Sequence, residues 1–263
     1  MIDIAGVLRR ERTIVVAGLV ALVALAWTYL WHGAGMGMSA LDMTTLSLFP
    51  HLQDDVMGSM EPAWPVVVAM WWVMMIAMMT PSAAPLVLLY GLVLRRHAAT
   101  GANVYLPSLL LLAGYMTVWL AFSFAAAALE KVLEPAGLIS GMMLWSRSAW
   151  LSASVLAAAG IYQFSSLKQA CLTQCRAPVQ FLNEHWRPGR MGSFMLGVRH
   201  GAFCVGCCWM LMTLLFVGGV MNLIWIAALT GVVLLERLLP AGEGIGQISG
   251  GLLLVWAVAT LLV

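Results

Sequence analysis

Apolar residues in this chain come in long unbroken blocks separated by short polar stretches. The blocks cover 14–31, 64–94, 106–129, 148–164, 198–217, 220–239 and 248–263. A membrane-crossing helix needs about 20 mostly apolar residues, whereas spanning strands alternate apolar and polar positions. No block alternates, so the pattern predicts an all-α, polytopic transmembrane helical bundle of about seven spans. The number is six if the first block is a cleaved signal peptide behind Arg9, Arg10 and Arg12. The second block is overlong and contains Pro81 and Pro85, which are expected to kink or unwind it. Gly218 and Gly219 predict a tight hairpin between the fifth and sixth spans. The chain therefore divides into an N-terminal helix (1–31), an outer loop (32–63) and a helical core (64–263).

The charges orient this bundle. Of the 13 Lys and Arg residues, only Lys131 and Arg147 fall outside one set of alternate loops. Basic loops stay cytoplasmic, which places the N-terminus inside and the 32–63 loop outside. That outer loop has no Lys or Arg but carries Asp42, Asp54, Asp55 and Glu61. The stretch near 165–199 becomes a basic cytoplasmic loop. Glu130 and Glu236, each near the end of a span, read as markers of the membrane interface.

Composition agrees and excludes alternatives. Hydrophobic residues make up 62 % and charged residues 9 % of the chain, against about 25 % charged in a soluble domain. A soluble domain, a disordered chain and a disulfide-stapled secreted module are excluded. A net charge of +2 without a Lys/Arg patch gives nucleic acid no footprint. No Ser/His/Asp arrangement, phosphate loop or HExxH motif supports a hydrolase or an ATP-driven pump. What composition adds is sulfur: 19 Met and 5 Cys.

The sulfur is clustered. In the outer loop, His32, Met36 and Met38 are followed by Met43, His51, Met57 and Met60. In the second span, Met70, Met74 and Met78 recur every four residues and share a helix face, with Met75 and Met79 beside them. All five cysteines fall in two further stretches. Cys171 and Cys175 are four apart, on one face if the fourth helix runs on past the membrane. His200, Cys204, Cys207 and Cys208 follow helical spacing in the next span. Both stretches belong to the cytoplasmic end of consecutive helices. Thioether and thiolate sulfur are soft donors that favour Cu(I), and imidazole suits copper and zinc. These residues are therefore candidate metal ligands, with a thiolate site of three or four donors. Packing is the competing explanation: Met fills irregular gaps and Cys is a small buried residue. Gly197 and Gly201 have the spacing of closely packed membrane helices. Disulfides fit poorly with an odd count on a reducing side.

Several of these stretches resemble a bacterial family of integral membrane proteins of unknown function, catalogued as predicted metal-binding. The resemblance lies in Met70-Trp-Trp-Val-Met74-Met75-Ile-Ala-Met78-Met79-Thr-Pro81-Ser82-Ala-Ala-Pro85, in Tyr162-Gln163-Phe164 with Lys168, Cys171, Cys175 and Arg176, and in Arg199-His200-Gly201-Ala-Phe-Cys204-Val-Gly206-Cys207-Cys208-Trp209. It continues through Asn222, Glu236 and Pro240 and spans roughly 64–242. It implies a multi-pass protein of the bacterial inner membrane that binds metal.

With the sulfur clusters, the expected function is Cu(I) handling: a chaperone, an importer or an assembly factor for a copper enzyme. The partners would be the lipid bilayer and a copper chaperone or copper enzyme. Zinc at the thiolates is the other metal to consider. A thiol/disulfide redox protein and a metal-free structural subunit are the alternative functions.

Overall fold

The computed structural model describes residues 4–35, 39–45, 62–97, 105–140 and 144–262. The long apolar blocks all become helix. They are α1 (Ile4–Trp31), α2 (Trp64–His97), α3 (Tyr105–Leu133), α4 (Ala149–Gln163), α7 (Arg190–Thr213), α9 (Leu223–Leu238) and α10 (Gly242–Leu262). Three shorter helices, α5 (Ser166–Arg176), α6 (Pro178–His185) and α8 (Leu215–Gly218), complete the set. The fold is an all-α bundle; among the described residues the only β pairing is an isolated Ile139–Ser146 bridge.

Among the described residues five helical stretches, α1, α2, α3, α7 with α8, and α10, are long and apolar enough to cross a membrane. The other two expected spans are shorter: α4 has 15 residues and α9 has 16. Large apolar side chains point outward, among them Leu25, Leu109, Trp150, Ile161, Ile248, Leu252 and Val255. Such a surface would drive association in water and is natural against lipid.

Three sequence expectations are corrected. The stretch 165–199 is not a loop. It forms α5 and α6 and the first turns of α7, which begins at Arg190 rather than Val198. Helix α4 does not run on to carry Cys171 and Cys175. It ends at Gln163, and Ser165 caps a separate α5 by accepting from the Lys168 N–H. Finally, Pro81 and Pro85 do not unwind α2, which is helical throughout. Hydroxyls bond carbonyls around the prolines: Thr80 donates to Ile76, while Ser82 and Tyr115 both donate to Met79. Side-chain donors of this kind let proline sit inside buried helices. The hairpin at Gly218 and Gly219 is as expected, with Gly219 at φ 94°.

One contact fixes the geometry of the functional region. Helices α3 and α7 form the most extensive pair in the bundle. A Cβ on Gly114 would overlap the Phe194 carbonyl, and one on Gly197 would overlap the Leu111 carbonyl. A Cβ on Gly201 would press on Val118. The backbones thus meet without side chains between them, the small-residue packing typical of membrane helices. This close approach brings the middle of α3 onto the cysteine face of α7.

Candidate metal centre

Cys204, Cys207 and Cys208 lie on the buried face of α7. The α3–α7 contact presents Tyr115 to the first of them, with its hydroxyl 2.8 Å from Cys204 Sγ. Helix α9 brings in a group that the charge pattern alone marks only as a cytoplasmic signal. Arg237, in its last turn, is buried and enters the cysteine cluster. Its Nη2 donates to Cys204 Sγ and Cys207 Sγ, both at 2.9 Å, and reaches Cys208 Sγ at 3.7 Å. It also donates to the Cys204 carbonyl at 3.2 Å, and Nη1 donates to Ser82 Oγ of α2 at 2.7 Å. Four helices therefore converge on these sulfurs.

A fifth helix closes the cluster. Cys175 of α5 lies beside Cys207, and within α7 the Cys207 and Cys208 thiols both donate to the Cys204 carbonyl, at 3.2 and 3.0 Å. Cys171 packs on Gly206, where a Cβ would come within 2.7 Å of its sulfur. The hydrogen bond with Cys207, then burial, holds the Cys175 thiol well above the usual range. Burial, then the neighbouring Cys207, raises Cys171. All five cysteines are free.

Helix α5 is tied down by polar bonds. Lys168 Nζ makes a buried ion pair with Glu236 Oε2 at 2.6 Å and donates to Gln163 Oε1. Gln163 Nε2 donates to Glu236 Oε1 at 3.0 Å and to Ser249 Oγ at 2.8 Å. Arg176 Nη2 donates to the Leu239 and Pro240 carbonyls at the end of α9. Glu236, expected to mark an interface, instead serves inside this network. Glu130 is likewise buried and accepts from Trp71 Nε1 at 2.8 Å.

The remaining candidates are distributed. His200 is buried on α7, but its ring lies against Tyr115 and Phe181 with centroids 5.6 and 5.2 Å away. Neither ring nitrogen has a hydrogen-bond partner among the described residues. Met70, Met74, Met75, Met78 and Met79 are fully buried and join the same apolar cluster as Cys204, Cys207 and Cys208. Met43, Met212 and Met221 belong to it too. The Met43 segment is anchored: Asn222 Nδ2 donates to the Thr45 carbonyl at 2.8 Å, and the Leu223 N–H donates to Thr44 Oγ1. His32 is exposed in the turn after α1. Met36, Met38, His51, Met57 and Met60 lie outside the described residues.

Among the described residues, no group of three or more His, Cys, Asp or Glu side chains is arranged to hold a metal ion. The three α7 thiols are gathered around the Arg237 guanidinium.

The bundle and its buried sulfur define an all-helical protein with membrane-type surfaces and a thiol-rich centre. Comparison with known proteins gives that class a family. The family model described as PpoB2, copper chaperone, matches residues 68–260, and the chain belongs to that family. No curated protein and no solved structure matches it. The family is a copper-related one, which replaces the broader metal-binding resemblance. The match begins at Val68, so His32 and the outer loop lie beyond it.

Proposed function

We propose that the chain is a multi-pass membrane copper chaperone that carries Cu(I) on the thiols where α5, α7 and α9 meet. The observation that carries this reading is the burial of Cys204, Cys207 and Cys208 on one face of α7, with Cys175 brought over them by α5. Thiolate sulfur favours Cu(I) over hard cations, and the family description is a copper chaperone. Cargo would come from the opposite end of the bundle, captured by His32, Met36 and Met38. The Met70, Met74 and Met78 face of α2 would then pass it inward. Thioethers bind Cu(I) less tightly than thiolates, so each step toward the cysteines is downhill. Handover would be to a copper chaperone or copper enzyme.

The positive-inside charge distribution supports an orientation with the N-terminus and the thiol centre on the cytoplasmic side, in what the family resemblance makes a bacterial inner membrane. Elemental analysis of protein purified in detergent without chelators, from cells given both metals, tests the reading. Copper near one equivalent per chain is expected. Zinc at that stoichiometry, or neither metal, would overturn it.

A further inference from the structure

Arg237 raises a question of charge. A guanidinium stays protonated in proteins, and a buried cation with no anion beside it is strongly disfavoured. The side-chain contacts of Arg237 are to sulfur, to the Ser82 hydroxyl and to the Cys204 carbonyl. The adjacent carboxylate, Glu236, is already paired with Lys168 and bonded by Gln163. The anion that balances Arg237 must therefore come from the thiols.

We propose that Arg237 is the built-in counter-cation of a two-thiolate Cu(I) site whose sulfur donors are Cys204 and Cys207. The inference rests on the copper reading above and deepens it. Two thiolates and one Cu(I) carry a single net negative charge, and the guanidinium cancels it. The same two thiolates holding a divalent ion are neutral on their own, so Arg237 would be left without an anion. Arg237 thus sets both the affinity of the site and its preference for a monovalent cargo.

The geometry fits this role. Nη2 lies 2.9 Å from each of the two sulfurs, so they are no more than twice that distance apart. Cys208 is further off, at 3.7 Å. The guanidinium is held in place from the other side: Nη1 bonds Ser82 Oγ, which in turn donates to the Met79 carbonyl. Ser82 lies between Pro81 and Pro85, so the cation is pinned where the methionine face of α2 ends.

The test uses the full chain in detergent under anaerobic conditions. Cu(I) affinity is read by competition with a chromophoric Cu(I) chelator, Zn(II) affinity is measured in parallel, and X-ray absorption counts the sulfur neighbours of copper. Wild-type protein is expected to bind one Cu(I) with two sulfur neighbours. Arg237→Gln is expected to weaken Cu(I) by on the order of 100-fold, from the loss of a unit charge beside the site. Zn(II) should weaken far less. Arg237→Lys, which keeps the charge, should recover most of the Cu(I) affinity. Arg237→Met, which removes the charge and leaves no polar group behind, carries the test if the glutamine variant does not fold. Equal Cu(I) affinity in wild type and the neutral variants would overturn the counter-cation while leaving the copper reading intact. Three sulfur neighbours in the wild type would overturn the two-thiolate assignment. Wild-type protein that binds no Cu(I) at all would overturn the copper reading itself.

Discussion

The methionines of α2 and the cysteines of α7 are both buried sulfur at helical spacing, yet their surroundings differ. Met70, Met74 and Met78 sit among apolar side chains, with no charged group bonded to them among the described residues. Cys204 and Cys207 sit against a buried guanidinium, a tyrosine hydroxyl and further thiols. A thioether is always neutral, so its burial asks for nothing and suits packing and transient ligation equally. A thiolate is an anion that must be compensated in a low-dielectric interior. The charged neighbour is what distinguishes a sulfur site built for a cation from sulfur that merely fills space. By that criterion the proposed site belongs to α7, and α2 offers at most a path to it.

Substitutions sharpen the contrast. The largest effect is expected where the cysteine site is assembled. Gly197→Leu places a side chain where the Leu111 backbone now lies, so α3 and α7 must separate. It should destabilise the fold by more than about 4 kcal/mol, read as loss of monodisperse protein in detergent. Retention of wild-type stability would show that Tyr115 does not depend on this contact. Next, Lys168→Met leaves Glu236 buried and unpaired, at about 3–5 kcal/mol. The double change with Glu236→Met should recover much of that loss in chemical denaturation. Failure to recover would mean the network, not the pair, secures α5.

On the methionine side, Met74→Leu and Met78→Leu conserve volume and should each change stability by less than about 1.5 kcal/mol. Copper stoichiometry at equilibrium should stay the same, while loading of protein in vesicles slows. Lost stoichiometry would make these thioethers part of the final site and erase the contrast. Smallest is a reactivity difference. The Cys175 thiol is held well above the usual range, so its protonated form persists at neutral and mildly alkaline pH. Alkylation in the apo protein should be slower than for an ordinary thiol and should speed up as pH rises. A fast, pH-independent reaction would remove the Cys175–Cys207 hydrogen bond from the account.

Much of this was legible in the residue pattern. Long apolar blocks fixed the all-helical class, and the spacing of Cys204, Cys207 and Cys208 put them on one face. Gly197 and Gly201 announced a close contact, although not its partner Gly114. The amphipathic α5 and α6 were hidden because Lys168, Arg176, Arg187 and Arg190 made the stretch look like a solvated loop. Lys168 is in fact buried. Arg237 was hidden for the same reason, since one arginine at the end of an apolar span resembles a topology signal. The adjacent Glu236-Arg237 pair was the available clue, because two charges in the last turn of a buried helix both need partners. His200 is legible only in part. Its spacing from Cys204 predicts a shared face, while the packing of its ring against Tyr115 and Phe181 is set by neighbouring helices.

The central claim is that the α7 thiols hold the cargo. Anaerobic Cu(I) titration of the wild-type chain beside a Cys204→Ser, Cys207→Ser variant tests it most directly. Read on the fraction that stays monodisperse in detergent, the variant should keep its methionines and lose the tightly bound copper equivalent of the wild type. Unchanged copper stoichiometry in that variant would contradict the account.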